Sequence, residues 1–311
     1  MTSRPGRPVA SARPLKVGVQ LPEVEREVRW PELRDMARTA ENVGFDSIWV
    51  GDHLLYRDPG IPPRGPWEAW SVLAAVAAVT ERVQLGPLVA SVSFHNPAML
   101  AKKAAAVDEI SGGRLILGLG AGWNEPEYRA FGFPFDHRAD RFEEAFAIIR
   151  GLLREGHVDF AGRYHEARDA LLLPPAHHTP PIMLGTVGPR MIRLAAEHAD
   201  AWNAWFTWYG NRPEGIAPLR AKLDAACAEA GRDPSTLERT VAVLVQLEDR
   251  DVDPRGGPEE PAPALRGSPE ELAAELRRFA LEGISHVQLV VDPITVGSIE
   301  RLGETLAALD R

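Results

Sequence analysis

The chain has 311 residues, 45% of them hydrophobic and 25% charged, with a net charge of −9. That is the profile of a globular, enzyme-sized chain, and its acidic balance excludes a partner as anionic as nucleic acid. A single cysteine, Cys227, excludes both an intrachain disulfide and a multi-thiolate metal site. No apolar run approaches the roughly twenty residues of a membrane span.

Residues 1–14, MTSRPGRPVASARP, carry three arginines and three prolines but no apolar signal core. They read as a flexible tail on a cytoplasmic protein, followed by one domain over 15–311. The apolar run KVGVQ (16–20) predicts a first strand. WPELRDMARTAENVG follows, with Leu33, Met36, Ala37, Ala40 and Val43 at helical spacing, Pro31 at the start and Gly44 at the end. FDSIWV (45–50) predicts a strand, 68–81 a helix, VQLGPLVA (83–90) a strand, 97–111 a helix and RLILGLG (114–120) a strand. The next helix is predicted over 138–155. The alternation continues through strand 181–185, helix 189–199, strand 200–205 and a helix near 213–230. It closes with strand 240–247, helix 268–283, strand 286–291 and a helix near 297–309.

Eight strand-like runs, each followed by a helix, are apolar almost throughout, as parallel strands covered on both faces must be. Right-handed crossovers leave an open doubly wound sheet or a closed barrel, and eight units favour an α/β fold of the (β/α)₈ TIM-barrel type. Two segments exceed that plan. Residues 156–180 predict a small hairpin and a proline-rich connection. Residues 248–267, with four prolines after the seventh strand, predict either a lid over the C-terminal face or a mobile surface loop.

The stretch RLILGLGAGWNEPE (114–127) has glycines at 118, 120 and 122. A dinucleotide fingerprint requires G-x-G-x-x-G opening directly into a helix. Here the spacing is G-x-G-x-G, and Trp123-Asn124-Glu125-Pro126 follows, so that reading fails. Alternate glycines at a strand end instead predict a flat ligand packed close to the backbone at a barrel mouth. The plain alternative is a tight strand exit.

Together, GRLILGLGAGWNEPEYRAFGFPF (113–135), VGVQLP (17–22), SIWVGDHL (47–54), PIMLGTVGPRMIRLAAEHADAWN (181–203) and GISHVQLVV (283–291) resemble the luciferase-like monooxygenase family. The resemblance is to its branch that uses the deazaflavin coenzyme F420. It implies a TIM barrel and an oxidoreductase moving hydride between F420 and a small organic substrate. Reduced FMN in a monooxygenase, or a non-catalytic flavin-binding relative, are the alternatives. Relatives are often homodimers, and a flavin or F420 reductase would supply the cofactor.

In TIM barrels the chemistry sits at the C-terminal strand ends. There the sequence places His53 and the candidate cofactor-binding residues Gln20, Asp52, Leu88, Val89, Ala90, Gly120, Ala121, Gly122 and Asn124. His53 is the candidate catalytic residue, because imidazole passes protons near neutrality; orienting a loop or touching the cofactor ring is the alternative role. Asp52, its neighbour on the strand, points the other way. Related sugar-phosphate dehydrogenases carry a catalytic glutamate just after the glycines, where this chain has Trp123 and Asn124. Free amides at a helix start favour anions, and the resemblance assigns Gly185, Thr186, Val187 and Gly188 to the cofactor phosphate. It also implies a non-prolyl cis peptide near Leu88-Val89. Trp67, Trp123, Trp202 and Trp205 are candidates for the substrate pocket, with loop packing as the bland reading. His177-His178 lacks spaced carboxylates, and no metal site is expected.

Overall fold

The computed structural model describes residues 13–248 and 263–311. In chain order its first elements are β1 (Lys16–Gln20), α1 (Trp30–Val43), β2 (Ser47–Val50), α2 (Ala69–Val79), β3 (Gln84–Pro87), β4 (Ala90–Ser91) and α3 (Pro97–Ser111). Next come β5 (Leu117–Gly120), α4 (Glu125–Phe131), α5 (Arg138–Glu155), β6 (His157–Ala161) and β7 (Glu166–Leu171). The chain closes with β8 (Ile182–Gly185), α6 (Pro189–His198), β9 (Ala201–Ala204), α7 (Ile216–Glu229), β10 (Glu238–Gln246), α8 (Pro269–Leu281), β11 (His286–Asp292) and α9 (Val296–Leu309).

The helices begin and end where local chemistry requires. Pro31, Pro97, Pro126, Pro189 and Pro269 occupy first-turn positions, where a missing N–H costs nothing. Gly44, Gly112 and Gly132 close α1, α3 and α4 in the left-handed region. Ser268 and Glu271 form a reciprocal capping box on α8. The helix α1 buries Leu33, Met36, Ala37 and Ala40 on one stripe, and each large apolar side chain so buried contributes about 1.5–3 kcal/mol.

The strands pair in parallel in the order β3-β2-β1-β11-β10-β9-β8-β5-β4. The strands β3 and β4 are two halves of one line, interrupted at Leu88-Val89, where the peptide bond is cis. Leu85 also bridges Leu115 in parallel: its N–H donates to the Arg114 carbonyl at 3.0 Å, and its carbonyl accepts from Ile116 N–H at 2.8 Å. That bridge joins the two ends of the sheet, so the strands close into the expected barrel. The strands β6 and β7 form a separate antiparallel pair.

The ring is packed from both sides. Trp49, Ile48, Phe45, Met36, Phe146 and Phe279 are among its fully buried side chains. Arg114 ties α2 to this frame. Its guanidinium donates to the carbonyls of Ala77, Thr80, Val83 and Ser111 and to Thr80 Oγ1. Cys227 is buried on α7.

One expected feature is corrected. No helix was expected between the strand ending at residue 120 and the helix beginning at 138, yet α4 occupies Glu125–Phe131. Its signals are Pro126 at the start, Glu125 and Glu127 in the first turn and Gly132 after the end. They compress a helix of only seven residues into a stretch too short for periodicity to register. Residues 1–12 of the expected tail and 249–262 of the expected loop lie outside the described residues.

Candidate active site at the barrel mouth

The site is organised around His53, just beyond β2. Its Nδ1 donates to Glu127 Oε1 at 2.9 Å, and Glu127 Oε2 accepts the amides of Leu54 (2.8 Å) and Leu55 (3.3 Å). Glu127 stands on α4 and is 1% exposed. The short helix missed by periodicity therefore delivers the carboxylate that orients the imidazole. The glutamate at the position directly after the glycines is indeed absent, and Glu127, five residues beyond Gly122, engages the histidine instead.

A second carboxylate faces the other ring nitrogen. Glu23 Oε1 lies 4.0 Å from His53 Nε2, accepts from Tyr56 Oη at 2.5 Å, and its Oε2 accepts from Gln20 Nε2 at 2.9 Å. Burial alone pushes the imidazole pKa down. The charge of Glu23, the hydrogen bond and charge of Glu127 and the charge of Asp52 outweigh it, and the pKa is raised above 6.5. The His53 side chain keeps 19% of its surface exposed, and its ring meets Tyr56 and Trp123 at 4.9 and 5.6 Å.

Asp52 makes its hydrogen bonds away from His53. Its Oδ2 accepts from Ser91 N–H at 2.9 Å and His95 Nε2 at 3.0 Å, tying β2 to β4. Asn124, expected on the cofactor, donates its side-chain amide to the Leu55 carbonyl at 2.9 Å and so fixes the loop after His53. Gln20 is fully buried against Glu23. Leu88 and Ala90 are buried, while Val89 between them is partly exposed.

The alternate glycines make close approaches within the protein itself. A Cβ on Gly120 would sit 2.6 Å from Val89 Cγ2. One on Gly118 would sit 2.2 Å from the Pro87 carbonyl, and one on Gly122 would sit 1.8 Å from Tyr128 Oη. The side chain of Val89 and the phenol of Tyr128 fill the room that glycine leaves. The glycines therefore accommodate neighbouring protein.

Across the mouth, the amides of Val187 and Gly188 bond to no described residue. Thr186 N–H is already engaged by the Asn203 carbonyl at 3.2 Å. Nothing lies within 4 Å of where a Gly188 Cβ would be. Arg190 at the start of α6 is spoken for by Asp140 and Glu143. Trp202 is corrected: it is 1% exposed, and its indole donates to the Thr186 carbonyl at 2.7 Å, so it supports this loop from beneath instead of lining a pocket. Phe206 and Tyr209 are likewise packed, and Trp205 is partly exposed. Trp67, half exposed, donates to the Val28 carbonyl at 2.8 Å. Among the described residues no cluster of metal-ligating side chains occurs, and no helix is long and apolar enough to cross a membrane.

The family model for luciferase-like monooxygenases matches residues 15–253. The chain belongs to the luciferase-like monooxygenase family. Among its relatives is the 5,10-methylenetetrahydromethanopterin reductase of Archaeoglobus fulgidus, 30% identical over 240 residues, which cover 77% of this chain and 66% of that protein. The F420-dependent glucose-6-phosphate dehydrogenase of Amycolatopsis mediterranei is 36% identical over 177 residues, 55% of this chain and 52% of that one. The chain thus matches from about half to just under two thirds of these relatives' lengths. A solved F420-dependent secondary alcohol dehydrogenase with an F420-acetone adduct superposes with a TM-score of 0.79 at 23% identity, covering 95% of this chain and 99% of that one. At that identity the likeness speaks for the fold.

Proposed function

We propose that this luciferase-like protein is an F420-dependent oxidoreductase that moves hydride between the deazaflavin and a small organic carbonyl or alcohol. The observation that carries this is His53, partly exposed at the barrel mouth, with its Nδ1 held by Glu127. Relatives named for F420 support the choice of cofactor.

The residues present fit such a group. Val89, Ala121 and Gly185 are partly exposed at three strand ends and offer an apolar wall for a flat ring. The unengaged amides of Val187 and Gly188, at the positive end of α6, would hold an anionic tail. Trp123, 47% exposed, and Trp205 would border the substrate. When bound, the deazaflavin supplies hydride chemistry. The protein's part is the proton. A carboxylate oxygen accepts, so Glu127 keeps a proton on Nδ1 and leaves Nε2 as the exchanging atom. In reduction His53 gives its Nε2 proton to the substrate oxygen; in oxidation it takes that proton away. Tyr56 and Trp123 limit water around the imidazole.

The test is isotopic. The protein is incubated with F420 reduced by deuteride at position five and a panel of carbonyl substrates. Deuterium should appear at the former carbonyl carbon of one substrate class. Oxygen consumption with reduced FMN, and no deuterium transfer, would favour the monooxygenase alternative. The same proposal places the enzyme in the cytoplasm with a partner that regenerates its cofactor, and as a homodimer; size measurement in solution tests the last point.

A further inference from the structure

We propose that Glu23 is the proton relay of this site, passing protons between His53 and a water-sized gap on the far side of the β1–β2 rim; this rests on the oxidoreductase reading above. The first observation is placement. Glu23 is 8% exposed and lies beside His53, with Oε1 4.0 Å from Nε2. The second is that its two oxygens are held by separate donors, Tyr56 Oη and Gln20 Nε2. The third is Gly51. A Cβ there would come within 2.0 Å of Glu23 Oε2, so glycine is what lets the carboxylate occupy this place.

The fourth observation is where Glu23 leads. A gap of about 20 Å³ is lined by Glu23, Leu21, Val50, Gly51 and Trp67. About 10–15 Å³ is enough for one water molecule. Trp67, one wall of the gap, is 52% exposed. Through Glu23, His53 thus has a path to a gap with room for water. An occupied mouth excludes bulk water, so a group that must regain its starting protonation each cycle needs such an exit.

The step balances as follows. In oxidation of an alcohol the C–H bond breaks with its electron pair leaving as hydride to the cofactor of the proposed reaction. The O–H proton goes to His53 Nε2 and a carbonyl remains. The imidazolium then gives the Nε2 proton to Glu23 Oε1, and the resulting carboxylic acid gives its proton to water in the gap. Imidazole and carboxylate are both regenerated. A side-chain movement of about 1 Å brings 4.0 Å to hydrogen-bond distance. Reduction runs the same path inward. The groups facing His53 are Glu23, Glu127, Asp52, Tyr56 and Trp123, with His95 behind Asp52.

The experiment uses Glu23→Gln, which keeps the size of the side chain and removes its charge and one of its two accepting oxygens. In the protein without cofactor, NMR titration of the His53 imidazole should show its midpoint fall by about one unit or more. With F420 and substrate, turnover should stay at least about tenfold below the parent even at the pH where His53 has the same protonation as in the parent. A midpoint that does not move overturns the proposal. So does a full rate recovered merely by adjusting pH, which would make Glu23 a bystander charge. Should Glu23→Gln fail to fold, Gly51→Ala, which displaces the same carboxylate, must give both effects. The titration needs no cofactor, so it judges the pair even if F420 turnover is absent, a result that would count against the functional reading alone.

Discussion

Glu127 Oε1 lies 2.9 Å from His53 Nδ1, and this one contact joins α4 to the end of β2. Glu127→Gln keeps the shape but removes the charge that orients the ring and raises its pKa. The variant should lower turnover by about tenfold to a hundredfold, toward the small end of general acid–base effects. The limb of the pH–rate profile that reports His53 should move to lower pH. Cofactor affinity, measured by fluorescence, should change little. A profile that keeps its position would remove Glu127 from the proton machinery.

His53→Ala should lower turnover by about 10²–10⁴-fold while leaving cofactor affinity nearly intact. Because the His53 pKa is raised above its ordinary 6.5, the parent's limb should be found on the alkaline side of that value. Reduction needs the protonated ring and should decline as pH rises through that limb; oxidation needs the neutral ring and should increase. A rate unchanged by the substitution would leave the ring with an orienting role only.

Gly120→Ala places a methyl 2.6 Å from Val89 Cγ2. The substitution should destabilise the fold by about 1–3 kcal/mol, the usual cost of overpacking. Val89→Ala should recover part of that loss in the double variant, read from urea midpoints. Strict additivity would show that the glycine serves something other than Val89.

His286 is buried on β11, bonded through Nε2 to Ser47 Oγ at 2.7 Å, and burial lowers its pKa to about 3. Its ordinary value is 6.5. Below that value the unfolded chain binds a proton that the folded one refuses, so stability from this residue falls as pH drops from 6.5 toward 3. Between pH 7 and pH 5 the loss is about 2 kcal/mol. In His286→Gln the stability difference between those two pH values should shrink by about that amount. An unaltered difference would mean the ring is protonated in the folded state.

How far the sequence reached depended on the length of each signal. The barrel was legible because eight apolar runs and their helices repeat one pattern, and α5 begins and ends at the expected residues, 138 and 155. The helix α4 was not, because seven residues give periodicity too little to work on. Glu127 went unassigned with it. Glu23 follows the first strand in QLPEVE, where a glutamate on a loop reads as solvated; only the fold brings it to His53. Trp202 looked like a pocket aromatic because it sits at a strand end, but its indole points to the Thr186 carbonyl. The glycines at 118, 120 and 122 signalled close approach correctly but could not say of what, since Val89 and Tyr128 come from elsewhere in the chain.

The most direct measurement is calorimetric titration of the protein, freed of cofactor, with oxidised F420 and with FMN under identical conditions. The account predicts that F420 binds at least about tenfold more tightly, a difference of about 1.4 kcal/mol, and that substituting Gly188 with a bulkier residue weakens F420 binding. FMN binding as tightly as F420, or more tightly, would contradict it.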